Sequence, residues 1–243
     1  MMSTFGHIND VVGMRAPYLQ MGGDRQFEMM SENGYTWDAS WSTNMNDPPL
    51  WPFTLDYAAK IDCSVPPCPV HSHPGIWEVP LVNWLDTNDT LCAEVDNCYL
   101  PNDKEEALQL FRQNFRRHYE QNRAPFGIHL RARWFYSAHY NLEALQEFLA
   151  ELEQLNDVWL VTISDVIRWM RNPVPNSRAE EFFDCDFTNR LPACLGSLLC
   201  EYMNVTHMPN SEDHPGDRFL HTCADQCPDV YPWLGNPTGS ANP

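Results

Sequence analysis

The stretch Val11-Val12-Gly13-Met14-Arg15-Ala16-Pro17-Tyr18 joins four apolar or small residues to a cation and a proline turn. The apolar run reads as a short buried strand, and the four residues after it as the strand's C-terminal mouth. Pro17 fixes its own backbone and biases Ala16 toward an extended conformation. Active sites of α/β folds gather at such mouths. Arg15 placed there can orient a carboxylate, and the backbone N–H after Pro17 can serve an oxyanion. Taken alone, the same four residues also suit a surface turn with a salt bridge.

Working outward, short apolar runs alternate with amphipathic stretches, which predicts α/β architecture. Residues 25–33 read as a helix stopped by Asn33-Gly34, and residues 35–40 and 51–57 as the next strands. The clearest helix is 105–121, with Leu108, Phe111, Phe115 and Tyr119 on one stripe. A strand is predicted over 126–135, a second strong helix over 142–155, and a buried strand over 159–163. Ser164-Asp165 is read as the cap of a last short helix ending before Pro173. Residues 1–173 are thus taken as one domain. Residues 174–243 hold five of the nine cysteines and little periodicity, and read as a disulfide-rich C-terminal wrap.

The chain has 33 acidic against 15 basic residues, a formal charge of -18. Such a surface repels phosphate backbones and anionic lipid, so neither nucleic acid nor membrane is expected as a partner. No stretch is long and apolar enough to span a bilayer. Cysteine spacing matches no zinc finger or ribbon. Two Asn-x-Thr sequons, at Asn88 and Asn204, sit near cysteines in turn-rich sequence. Cysteine usage and sequons together point to an oxidising, extracellular location. The cysteine count is odd and residues 1–7 resemble no signal peptide, which reads as a chain lacking its natural beginning.

Gly13-Met14-Arg15-Ala16-Pro17-Tyr18-Leu19, with Gly22-Gly23-Asp24-Arg25-Gln26-Phe27 after it, resembles the third motif of arthropod-type chitin deacetylases of the polysaccharide deacetylase family. The likeness runs on through Pro48-Pro49-Leu50-Trp51-Pro52, Ser72-His73-Pro74, Asn122-Arg123-Ala124-Pro125-Phe126-Gly127 and Tyr231-Pro232-Trp233. It implies the C-terminal part of a distorted (β/α) barrel, and an activity of removing N-acetyl groups from chitin. In that family zinc, held by one aspartate and two histidines, activates water, with a second aspartate as base and a histidine as acid. The metal and base motifs precede the Arg-x-Pro-Tyr motif, and only fourteen residues precede Arg15, so the zinc ligands are expected to be absent from this chain.

Carried over by the resemblance, Arg15 matches the arginine orienting the base, Tyr18 the oxyanion-hole residue, and Asp38 the aspartate of the fourth motif. In Ile128-His129-Leu130-Arg131, Arg131 stands where the acid histidine belongs. Arginine keeps its proton near neutral pH, and His129, two residues away on the same strand face, lies about 6.5 Å off. Pro17, Trp41 and His73 are candidate sugar contacts, with His73 equally readable as structural. His71-Ser72-His73 is not expected to form a metal site, for want of an aspartate at ligand spacing. The expectation is a chitin deacetylase-like chain that is inactive alone and completed by an N-terminal portion of the same protein. The alternative is a non-catalytic secreted protein that binds chitin or a matrix partner.

Overall fold

A computed structural model of the protein describes residues 11–183, 196, 198–206, 215–233 and 235–241. They fall into two compact units, Val12–Phe183 and a second drawn from the remainder of the chain. Helix and strand are mixed in the first unit, and no closed barrel forms among the described residues.

In the first unit β1 (Gly13–Met14) leads through a 3-10 turn at Pro17–Leu19 to α1 (Asp24–Glu32). Six two-residue strands follow: β2 (Trp37–Asp38), β3 (Ser42–Thr43), β4 (Phe53–Thr54), β5 (Trp77–Glu78), β6 (Leu81–Val82) and β7 (Trp84–Leu85), with β8 (Leu91–Cys92) pairing antiparallel to β7. The main sheet has the order β1-β2-β5-β4, parallel except where β4 meets β5. Its register aligns Gly13, Trp37 and Trp77 in one row and Met14, Asp38 and Glu78 in the next. Gly13 is required here: the Trp37 ring lies over it, and an added Cβ would sit 2.0 Å from the indole. Beneath the sheet, Met21, Phe27, Met30, Trp41, Leu55 and Ile76 form one buried cluster.

The helices are α2 (Lys104–Tyr119), α3 (Arg133–Ser137), α4 (Tyr140–Glu153), α5 (Ile163–Arg171) and α6 (Ala179–Phe183). α2 starts at Asp103, whose side chain accepts from the Glu106 N–H, and its last turn carries Arg116 and Arg117, cations suited to a helix C-terminus. Its apolar stripe meets α4 through Phe111 and Phe148, with Trp84 and Trp134 edge-on to Phe111. This second cluster is all but sealed from water.

Two strand expectations are corrected. Residues 126–131 carry no strand, and among the described residues the one backbone–backbone bond to 126–130 runs from Val95 N to His129 O. From Arg133 the chain turns helical, because Trp134 must reach the Phe111 ring. Residues 158–162 likewise form no strand among the described residues, and Ile163 already belongs to α5. α5 is capped by Thr162, not at Ser164: Thr162 accepts from Asp165 N and Asp165 reciprocates in a capping box.

In the second unit β9 (Leu198–Val205) and β10 (Gly216–Thr222) pair antiparallel, with a bulge between Gly216 and Arg218. Burial alternates along β10, a half-buried strand pattern that the sequence reading missed. Disulfides join Cys63 to Cys68, Cys92 to Cys98 and Cys200 to Cys227, and Cys223 is disulfide-bonded too. Cys185 and Cys194 lie outside the described residues.

Candidate functional site

At the end of β1 the chain turns sharply enough to put Tyr18 and Leu19 at φ +58° and +56°, backbone that β-carbon-bearing residues rarely adopt. The turn leaves the Tyr18 ring 95% exposed. Among the described residues the Tyr18 N–H meets no protein acceptor. It is therefore available to a ligand, as an oxyanion donor must be.

A buried polar relay holds this corner. Ala16 N donates to Ser40 Oγ at 2.7 Å, and Ser40 Oγ donates to Asp38 Oδ1 at 2.9 Å. Asp38 also accepts from Ser40 N and from Gln26 Nε2, which reaches across from α1. Arg15 donates through Nε to Ala39 O at 2.8 Å. The sheet register sets Glu78 beside Asp38, fully buried, with its Oε1 taking the Trp41 N–H at 3.4 Å. Burial, then the Asp38 carboxylate, push Glu78 well above the usual carboxyl range. Burial raises Asp38 as well, against the bonds from Ser40, Glu78 and Gln26. Two neighbouring carboxyls in a dry site resist being charged together, so both are pushed toward the neutral form.

The Arg15 guanidinium faces the His129 ring, NH1 to Nδ1 at 3.0 Å and NH2 to Nε2 at 3.3 Å. A neutral imidazole has one acceptor nitrogen and a charged one has none. Burial and the arginine charge accordingly lower His129 to about 4, and it stands neutral at pH 7. At pH 7 it therefore carries no acidic proton to donate, and its ring faces Arg15.

Residues 15–19, Glu94, Asn97 and Arg131 line a cleft of about 510 Å³. Its far rim is the turn Val95–Asn97, bracketed by the Cys92–Cys98 disulfide. That turn grips residue 131: Asp96 takes Arg131 N at 3.2 Å and Nε at 2.6 Å, while Glu94 and Asn97 take NH2. Asp96 and Glu94 raise the arginine further above its ordinary value. Arg15, Pro17, Tyr18 and Arg131 therefore meet in one cleft, and Asp38 and His129 stand behind its floor.

Two sugar contacts are corrected. Trp41 is 0% exposed, set edge-on to Phe53 in the core, so it has no face to offer a ring. His73 is 8% exposed and gives its Nε2 to Asp24 Oδ1 at 2.8 Å, the structural role. Asp24 also takes His71 Nδ1 and the N–H groups of Val70 and His71. These bonds hold its carboxyl well below the usual range, against partial burial. An aspartate thus does accompany the two histidines, from 47 to 49 residues upstream, but its oxygens are taken by their ring nitrogens and by backbone N–H groups, and the three form no metal site.

Sequence reasoning gave no role to Ser40, Gln26, Glu78 or Asp96. Glu78 carried a signal, a carboxyl inside the apolar run Ile76-Trp77-Glu78-Val79. Asp96 had none, since only the disulfide turn brings it to Arg131.

No family model matches the chain. Among curated proteins it is similar to chitin deacetylase 8 of Bombyx mori, at 36% identity over 234 residues, 94% of this chain and 58% of that protein. Similarity to chitin deacetylase 1 of Bombyx mori is also 36%, over 250 residues, 96% of this chain and 44% of that protein. The protein is a chitin deacetylase-like chain. It spans about half the length of the curated relatives it matches. Zinc does not fit the residues at hand: among the described residues no His, Cys, Asp or Glu cluster is able to hold a metal ion. The chitin deacetylase-like cleft instead presents two guanidinium groups, which repel a cation.

Proposed function

We propose that this chain contributes the arginine and oxyanion side of a cleft that binds N-acetylglucosamine units of chitin, and that alone it does not remove the acetyl group. The observation that carries the reading is the Arg15–Tyr18 corner, held by the Asp38–Ser40 relay and open on a cleft, in a chain similar to two chitin deacetylases. A bound acetamide oxygen facing Tyr18 would receive its N–H, with the fixed Arg15 charge behind it. Pro17 holds the corner rigid, so little ordering is left for binding.

The chemistry stops there for want of a proton donor. Arg131 stays charged and is held by two carboxylates, and His129 is neutral and committed to Arg15. Neither group can hand a proton to a leaving amine near pH 7. This favours sugar binding without hydrolysis, which fits a secreted chitin- or matrix-binding role. Hydrolysis of the N-acetyl group by a longer protein is the reading taken from its relatives. Three disulfides support an extracellular location, and Asn88 is exposed in the turn between β7 and β8, where a glycan has room. Among the described residues no helix is long and apolar enough to cross a membrane.

The test is to incubate the chain with a chitin hexamer, following binding by calorimetry and acetate by enzymatic assay. Binding that Arg15→Ala weakens by about tenfold, with no acetate above the blank, is expected. Acetate release abolished by the same substitution would overturn the non-hydrolytic reading. Failure to bind any chitin oligomer would overturn the cleft assignment.

A further inference from the structure

The second unit contains a concave surface unrelated to the Arg15 cleft. Trp233, Leu220 and three prolines, at 228, 232 and 237, wall a hollow of about 560 Å³. No charged side chain lines it, in a chain of net charge -18. The hollow is built rigidly. The Cys200–Cys227 disulfide and a bond from Tyr202 Oη to Pro228 O at 2.8 Å tie one wall to β9. Trp233 and Asn236 exchange backbone bonds across a bridge, and buried Asn236 ties Ser240 through Nδ2. Val230 N donates to Gly239 O at 3.0 Å. Gly239 sits at φ +66°, where a Cβ would lie 2.5 Å from both Pro228 Cβ and Val230 O. One face of the indole lies against Gly235, where a Cβ would come within 2.2 Å of the ring.

Polar groups left over at this hollow are as telling as its walls. Among the described residues neither the Trp233 Nε1–H nor the Gln226 amide makes a hydrogen bond, and neither is buried. Thr222 accepts from Ala224 N and keeps its hydroxyl proton to donate. A preformed apolar hollow with a few unspent donors and acceptors is a ligand site in the usual sense. Its ligand has an apolar face for the indole and prolines, neutral polar edges for the amide and hydroxyl, and no charge.

The geometry points to a second saccharide subsite here, taking a neutral N-acetylated pyranose of a chitin chain against Trp233. The choice of chitin rests on the function proposed above; the hollow itself rests on its own geometry. An anionic glycan is disfavoured by the surrounding acidic charge, and a cationic one finds no carboxylate in the lining. Two separate sites on one polymer would raise retention on insoluble chitin above that on a short oligomer.

The experiment compares the full chain with Trp233→Ala, Gln226→Ala and Ala224→Arg by retention on chitin beads and by calorimetry with a chitin hexamer. Ala224 is exposed, so Ala224→Arg obstructs the hollow without removing a packed group, and unchanged near-UV circular dichroism checks its fold. Arg15→Ala reports on the other cleft. The expected result is a loss of about tenfold for Trp233→Ala and Ala224→Arg, a loss of a few-fold for Gln226→Ala, and a Trp233-dependent remainder in Arg15→Ala. Wild-type affinity in Ala224→Arg overturns the subsite while leaving the cleft reading intact. Loss of all binding in Arg15→Ala does the same. Trp233-dependent capture of a proline-rich peptide in preference to the hexamer would also overturn it.

Discussion

Two arginines line one cleft and are held in opposite ways. Arg15 is half-buried, pulled below its ordinary value by burial, and opposed in this by Glu94 across the cleft and Asp38 behind it. Its bonds go to a neutral ring and a backbone oxygen. Arg131 is half exposed and sits in a ring of carboxylates on a disulfide-bracketed turn. Buried polar networks cost heavily when one member is removed, whereas exposed ion pairs contribute little. The floor of the cleft is therefore where stability and geometry are set. The rim sets charge and can change at small cost.

The sharpest way to break that contrast is Glu78. Removing it as Glu78→Ala leaves a cavity beside the buried Asp38 carboxyl and frees the Trp41 N–H, a loss of about 3 kcal/mol or more. Glu78→Gln keeps the shape and offers an N–H to Asp38, so it should cost under about 1.5 kcal/mol. Urea midpoints of the two variants decide this. Equal losses would mean that the polar end of residue 78 contributes nothing and that the floor acts by packing alone.

Acid titration separates floor from periphery by pH window. His129 and His118 are both lowered to about 4 by burial, the first with help from Arg15. The unfolded chain takes those protons first, near 6.5, so stability falls as pH drops from about 6.5 to about 4. For His118, which is 4% exposed, the loss is on the order of 3 kcal/mol. Asp24 behaves oppositely in cause: its carboxyl is depressed, so its contribution is present above about 3.8 and lost only as pH falls further. A melting temperature flat from pH 7 to 4, then falling, would contradict the neutral histidines. His129→Gln should remove part of the upper limb and leave the lower one.

How much of this was legible in the sequence follows from the kind of force involved. The α2 and α4 helices were readable because their apolar residues repeat locally, Leu108, Phe111 and Phe115 on one and Leu145, Phe148, Leu149 and Leu152 on the other, although the fully buried stripe of α4 runs through Ala144, Phe148 and Leu152. The Arg15–Tyr18 corner was readable because a proline fixes the turn within four residues. Residues 126–132 and 158–162 looked like strands because their residue types suit one, but a strand also needs a neighbour, which residue type does not report. The sugar-contact reading of Trp41 failed for a related reason: Asn44 to Asp47 are polar next door, yet the side chain turns the other way into Phe53. Asp24 with His71 and His73, and Asp96 with Arg131, are long-range pairs that only tertiary folding brings together.

Arg131→His is the smallest expected perturbation of stability and bears on the rim's chemistry. Arg131 is half exposed, so losing its ion pairs should cost no more than about 1 kcal/mol, readable as a small shift of the urea midpoint. The backbone bond from residue 131 to Asp96 survives the substitution, which keeps 126–132 in place. An imidazole set between Glu94 and Asp96 is stabilised in its charged form, so its titration should move above the ordinary histidine value. Proton NMR of the single new histidine, followed against pH, reads this directly. A value below 6.5 would mean that the Val95–Asn97 turn relaxes without the guanidinium, making Arg131 a brace for the rim. A value above it would give this cleft a protonated imidazole at neutral pH, and acetate release from a chitin hexamer should still be absent, because no metal-holding cluster among the described residues supplies an activated water.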